Sequence, residues 1–335
     1  MESNKKRSII IICVIAVMLA AVIVYDAFFS FVDINGSTFA MGSAVTYKLH
    51  DKEEIANEVR FTATKGIENL DKTISRNIKD SDISKINKNL SYEVSDDTVN
   101  YINECIKISE LTNGKFDITV GALSSLWDFD NEKKIVPDDN DIQKALLTVG
   151  CDKIKISGNT VTVAEGTVLD LGAVGKGLAC GIVNDKMNSV NLKRGVVSVG
   201  GSVGTYGENV VIGIRDPFGE TTDTVIKLKI KNAVASTSGN YEKYFEKDGV
   251  RYHHILDAKT GYPVQNDLVS VTVICKSGIA SDALSTACYT LDYKGSKKVL
   301  DEYDAMAVFI YKDKTVKIYN EKYEYKIADN DYERK

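Results

Sequence analysis

Residues 8–24 form an unbroken run of seventeen uncharged, almost wholly apolar residues directly behind Lys5-Lys6-Arg7. Such a run cannot be an amphipathic core helix, because it has no polar face. As a helix it is about 25 Å long at roughly 1.5 Å per residue, somewhat short of a ~30 Å hydrocarbon layer. Tyr25 and Phe28-Phe29 extend it toward the interface. The basic flank belongs in the cytoplasm, which puts everything after Asp26 outside. The expectation is a single-pass protein of the cell membrane, with flank and anchor in residues 1–29 and one extracytoplasmic domain in 30–335. A cleaved signal peptide is the alternative, although no small-x-small cleavage site stands out and Cys13 lies too early in the run to be a lipobox cysteine.

The chain, at 44% hydrophobic and 27% charged residues, has the composition of a globular protein. Its formal net charge is −5, and no Lys/Arg run interleaved with aromatics occurs, which argues against a nucleic-acid partner. An anionic substrate would need local cations or a metal, because the overall field repels it. Five of the six cysteines (Cys105, Cys151, Cys180, Cys275, Cys288) lie beyond the anchor. Their number is odd, no CxxC or Cys/His metal spacing is present, and most sit in apolar or small-residue patterns. They read as small buried hydrophobes, not as a disulfide framework.

Periodicity supplies the elements. Residues 44–49 alternate as a strand, and Ile55, Val59, Ala63, Ile67, Leu70 and Ile74 recur at helical spacing, predicting a helix over 52–75. Residues 80–87 read as polar loop or a short helix start. Helices are expected from Asp96-Asp97 to Asn113-Gly114 and over 140–149, with a hairpin turning at Gly158-Asn159. Residues 168–171 read as a strand entering a small-residue turn and a helix to about Val190. Further strands are expected at 195–201, 209–215, 224–230, 250–255, 268–274, 306–311, 315–319 and 323–327, and a helix from Ala280 to Leu291. No internal repeat or linker divides them, so a single large mixed α+β domain is predicted.

One stretch concentrates reactive side chains. Of three histidines in the chain, His253 and His254 stand side by side between Thr237-Ser238-Gly239 and Thr260-Gly261-Tyr262-Pro263. Gly239, Gly249 and Gly261 are expected to turn the backbone sharply three times. Successive side chains of a strand point to opposite faces, so only one of the two histidines can face a given cleft.

Elsewhere, Asp282 and Thr286 are i and i+4 on a helix, which puts both oxygens on one face. With a backbone carbonyl they suit a hard cation such as Mg²⁺; a helix-start Asp is equally a cap. The Asp170-Leu-Gly-Ala-Val-Gly-Lys176-Gly177 turn puts amides and a lysine at a helix N-terminus, which is either an anion site or a tight strand–helix connection. It is not a Walker A loop, and no GxSxG, HExxH or GxGxxG is present. Gly114-Lys115-Phe116-Asp117 could be ordinary loop packing, and His254 a satisfied core histidine.

The ordered set is more specific than its parts. Met41-Gly42; Ser75 through Asp80-Ser81 to Asn87; Asn113-Gly114-Lys115-Phe116-Asp117-Ile118-Thr119; and Leu126-Trp127 come first. Asp170 to Gly177, Ser198-Val-Gly-Gly201, Thr237-Ser-Gly239-Asn-Tyr241, His254-Ile-Leu-Asp257, Thr260-Gly261-Tyr-Pro263 and Ser281-Asp282-Ala-Leu-Ser-Thr286 follow. Together they closely resemble the ApbE family of FAD:protein FMN transferases, over essentially residues 38–310.

The resemblance implies an ApbE-like, T-fold-related α+β domain that takes FAD as substrate with Mg²⁺ on its pyrophosphate. On that pattern the Ala173 carbonyl, Asp282 and Thr286 hold the metal. Met41, Asn77, Lys115, Phe116, Asp117, Asp170 and Ile255 hold the flavin and adenine ends, and Lys176, His254 and Asp257 are the candidate catalytic residues. Asn77 stands where the family commonly has Tyr, and Ser202 where it often has Asp. The implied reaction is transfer of FMN to a Thr or Ser hydroxyl of a client protein, with AMP leaving. The implied clients are exported flavoproteins, such as flavin-carrying subunits of Rnf-type or sodium-pumping NADH:quinone reductase complexes. Hydrolysis of FAD to FMN and AMP, and FAD binding without cleavage by a membrane-anchored carrier, are the alternatives.

Overall fold

The computed structural model describes residues 2–129, 134–208 and 210–335. Helix α1 (Glu2–Phe29) opens the chain, and its Lys5–Tyr25 stretch is the one helix among the described residues long and apolar enough to cross a membrane. None of that stretch is buried against the rest of the chain.

A nine-stranded sheet follows whose spatial order is also its chain order. Its strands are β1 (Val32–Ala40), β2 (Ser43–Asp51), β3 (Arg194–Val199), β4 (Ser202–Gly207), β5 (Ala233–Gly239), β6 (Leu268–Cys275), β7 (Met306–Tyr311), β8 (Thr315–Tyr319) and β9 (Glu333–Arg334). Each neighbouring pair is antiparallel except the last. The chain builds the rest of the fold, and all of the candidate site, in excursions between these strands.

Side-chain alternation sorts the sheet's two faces. Val234, Val271, Val273, Ala307 and Phe309 join the main core, with residues of α2 (Glu53–Ile74), α3 (Gly175–Ser189) and α4 (Gly278–Gly295). Their neighbours Ala233, Ala235, Ile274, Met306, Val308 and Ile310 face the other way and pack on the three-stranded sheet formed by Val210–Arg215, Thr224–Ile230 and Glu324–Ile327. A strand covered on both faces loses its polar alternation. All eight residues of β6 are accordingly buried.

The sequence periodicity marked α2 correctly: Val59, Ala63, Ile67, Leu70 and Ile74 are buried, and Ala56 joins them where Ile55 is only half-buried. Three expectations change. Residues 168–171 form only an isolated parallel bridge, Val120 to Val168. Gly239 is not a turn but the last residue of β5, paired with Ser270. The strand expected over 250–255 ends at His253. Short strands Ser202–Gly207 and Ala233–Gly239 were not expected, because small and hydroxyl residues carry a weak strand signal, and neither was the four-residue strand Tyr244–Lys247. Of the strand expected at 209–215, Asn209 lies outside the described residues.

Helices α3 and α4 cross at glycines. A Cβ added to Gly177 would stand 2.2 Å from the Gly278 carbonyl oxygen and 2.6 Å from Asp282 Cβ. Backbone cannot yield as a flexible side chain does, so Gly177→Ala is expected to destabilise the fold by about 1–3 kcal/mol or more. A thermal melt of the variant checks this; an unchanged midpoint would contradict the crossing.

Candidate active site

Segments from three excursions are tied to one another by hydrogen bonds. Asp170 N donates to Ile118 O at 2.7 Å and Gly121 N to Val168 O at 3.0 Å, which lays the Lys115–Val120 stretch beside the Asp170 turn. Lys115 Nζ donates to Asp257 Oδ2 at 2.6 Å, which brings in the loop after His254. Trp127 Nε1 donates to Gly261 O at 2.8 Å and fixes the far side of that loop. Gly261 itself has φ +76°, a conformation glycine adopts without strain, and a Cβ there would strike Ile142. Gly177 N donates to Asp282 Oδ2 at 2.8 Å, joining α3 to α4.

Asp282 is the electrostatic centre. It is buried, and burial raises its pKa, while Lys176, the amides of Gly177 and Lys176, and the Ser202 hydroxyl pull the other way. The anion gripped by the start of α3 is therefore the protein's own carboxylate. Those two amides are thereby occupied, and the half-buried Lys176 side chain is the cation beside them. Ser202, where an acid was expected by resemblance, instead starts a hydroxyl chain to Ser236 and on to Ser281, both links 2.9 Å. Thr286 lies one turn along α4, with Ser238 Oγ 3.1 Å from its Oγ1. Ser238 Oγ is also 2.7 Å from Ser285 Oγ.

These donors fit Mg²⁺. Carboxylate and hydroxyl oxygens are hard ligands, and a buried carboxylate with incomplete countercharge gains from a dication. No cluster of three or more His, Cys, Asp or Glu side chains exists among the described residues to close a protein-only cage. A cation here keeps positions for substrate oxygens.

The two histidines diverge, as the strand geometry requires. His253 is buried; its Nε2 donates to Val264 O at 2.8 Å and its Nδ1 accepts from Ile255 N at 3.3 Å. Both nitrogens are spent, and burial lowers its pKa to about 4. His254 is open to solvent on one edge but sits within the protein mass. Its Nδ1 lies 3.4 Å from Lys243 O, so Nδ1–H donates there and Nε2 keeps its lone pair. Desolvation, then His253 and Lys176, lower its pKa to about 4. It is neutral at pH 7 and able to accept a proton.

The linkage follows in sign. An unfolded histidine binds a proton below about 6.5. These two resist it until about 4, so stability present above pH 6.5 is lost as pH falls toward 4. Thermal melts between pH 7 and 4 should show that fall, and His253→Asn should shrink it; an equally steep fall in the variant would contradict the assignment.

The remaining expected residues divide. Met41 N donates to Asp71 Oδ2 at 3.0 Å, and its Cε packs against Gly175 at the start of α3. Asp170 Oδ1 accepts from Gly172 N at 2.9 Å, and Ala173 is half-buried in the same turn. Asp117 is turned inward: Oδ1 accepts from Thr119 N at 2.8 Å and Oδ2 from Cys151 N at 3.1 Å. Phe116 and Ile255 are buried in the main core; Ile255 N donates to His253 Nδ1 and its carbonyl accepts from Val264 N at 3.0 Å, while Phe116 N donates to Thr112 Oγ1 at 3.3 Å. Asn77 is exposed in the turn after α2.

Sequence reasoning missed Arg76, beside Asn77. Its Nε is 3.4 Å from Asp170 Oδ2, and its Nη1 donates to Gly121 O at 2.9 Å and Ser125 Oγ at 3.2 Å. Its only sequence signal was adjacency to the Ser75 motif.

Comparison with known proteins agrees with this geometry. The profile of the ApbE family matches residues 41–310. The FAD:protein FMN transferase of Vibrio cholerae is 32% identical over 269 residues, covering 76% of this chain and 80% of its own length. That of Klebsiella pneumoniae is 31% identical over 288 residues, covering 84% and 90%. The solved ApbE protein of Thermotoga maritima aligns with TM-score 0.78 at 31% identity, covering 84% of this chain and 94% of its own. The flavinyl transferase ApbE of Pseudomonas stutzeri, in its apo form, gives 0.75 at 27%, covering 85% and 93%. The profile spans most of the folded domain and the relatives most of both lengths, so this chain belongs to the ApbE family.

Proposed function

We propose that this chain transfers FMN from FAD to a Thr or Ser hydroxyl of an acceptor protein, leaving AMP. The observation that carries the reading is the buried Asp282, gripped by the first turn of α3, with Lys176 and His254 close enough to perturb one another. The hydroxyl oxygen forms a bond to the FMN-side phosphorus as the bond from that phosphorus to the bridging oxygen breaks, and the pair of electrons departs with AMP. His254 Nε2 accepts the hydroxyl proton, being neutral at working pH. Lys176 meets the phosphate charge. Lys115 holds Asp257 as an ion pair at 2.6 Å, which positions the loop after His254.

Asp282, Thr286 and the Ala173 carbonyl would hold Mg²⁺, whose chemistry when bound is to neutralise charge on the pyrophosphate oxygens. Met41, Asn77, Lys115, Phe116, Asp117, Asp170 and Ile255 would line the place where FAD is held. In this reading Lys5–Tyr25 anchors the chain with its basic flank in the cytoplasm and the domain outside. The clients are exported flavin-carrying electron-transfer subunits, Rnf-type ones among them.

EDTA is expected to stop AMP release from FAD, with recovery on added Mg²⁺, and Mg²⁺ should raise the melting temperature of the chain. AMP formation at an unchanged rate in EDTA would overturn the metal assignment.

A further inference from the structure

The hairpin that carries His253 has a second face. Tyr244 pairs with His253 and Glu246 with Arg251, so these side chains share one side, while Phe245 and Tyr252 point to the other and stack near Trp127. The Arg251–His253 side lines a recess of about 500 Å³ separate from Asp282 and Lys176. Arg215, Arg251 and Lys312 line it, and among the described residues no carboxylate does. In a chain of net charge −5 this is a local reversal of sign.

The cations are available. Arg215 lies over the Tyr241 ring, 5.5 Å from its centre, and has no ion pair among the described residues. Arg251 and Lys312 meet only exposed acids, Glu246 at 2.9 Å and Asp267 at 3.8 Å, and such surface pairs exchange readily. On the same wall Asn240 is buried, its Nδ2 donating to Leu268 O at 3.2 Å, while its Oδ1 has no partner. A polypeptide brings both carboxylates for the cations and main-chain N–H groups for the Asn240 oxygen.

We propose that this recess docks an acidic segment of the acceptor protein. The proposal rests on the transferase reading, since it supplies the protein substrate with a seat. Consecutive residues are ~3.8 Å apart along the chain but their side chains point to opposite faces, so an acceptor segment seated against His253 reaches His254 by passing round the end of this hairpin. Charge complementarity of this kind selects partners and speeds encounter.

The test uses the full chain in detergent micelles with FAD present. Its probes are a fluorescein-labelled peptide carrying glutamates around one threonine, and the glutamine counterpart, followed by anisotropy. The glutamate peptide is expected to bind at least about tenfold more tightly. Combining Arg215→Gln with Arg251→Gln should remove that difference while leaving FAD affinity unchanged. Should the double variant fail to fold, Lys312→Gln gives the same readout from a single change. Equal binding of the two peptides, no binding of the glutamate peptide, or full displacement by inorganic phosphate would overturn the proposal. An FMN-sized mass gained by an acceptor flavoprotein domain incubated with FAD and Mg²⁺ separates the two readings: its absence in the unmodified chain sinks the transferase and not the dock, whereas equal binding of the two peptides sinks the dock alone.

Discussion

Asp282→Ala should abolish Mg²⁺-dependent transfer, a fall of about a thousandfold or more, equivalent to roughly 4 kcal/mol in the barrier. The fold should survive. The substitution removes a carboxylate whose burial is unfavourable, and it leaves the amide of Gly177 without its partner. These effects oppose one another, so the metal-free melting temperature should change little, whereas the rise produced by Mg²⁺ in the unmodified chain should vanish. AMP release from FAD and melts with and without Mg²⁺ measure both. Unchanged turnover would remove Asp282 from the metal site, and a retained Mg²⁺ shift would place the cation elsewhere.

His254→Asn is the second large effect. Removing a general base costs about 10²- to 10⁴-fold. The loss should fall on the transfer rate, with FAD affinity nearly intact, because the ring is assigned to the acceptor's proton and not to the flavin. The pH profile gives the sign. His254 titrates near 4, so transfer by the unmodified chain should hold from neutral pH downward and fall as pH drops toward about 4. In the variant the residual rate should lack that acidic limb. A variant with the same rate and the same limb would move the role to another group, with Asp257 next to examine.

Much of this was legible in the sequence, for identifiable reasons. Helices with one buried face, such as α2, announce themselves by spacing, and β6 and β7 by runs of β-branched and aromatic residues. The ordered motifs pointed to Asp282, Thr286, Lys176 and His254: Lys176 stands at the start of α3, His254 just after the strand that ends at His253, and Asp282 and Thr286 one turn apart on α4. Strands β4 and β5 were hidden, since Ser202–Gly207 and Ala233–Gly239 are rich in Gly, Ser, Thr and Ala. Their small side chains make room for α3 and α4, a tertiary requirement with no local period. The same applies to Arg76, whose partners Asp170, Gly121 and Ser125 are 45 or more residues away or across the fold. Nor could the sequence show that the start of α3 is occupied by Asp282, 105 residues distant.

The most direct measurement incubates the full chain with FAD, Mg²⁺ and an exported flavoprotein domain as acceptor. Intact mass follows the acceptor, and chromatography the small molecules. The account predicts an FMN-sized mass gained by the acceptor and an equal amount of AMP, both lost when Asp282 is replaced. FAD returned intact beside an unmodified acceptor would contradict it, as would AMP and free FMN formed without any mass on the acceptor.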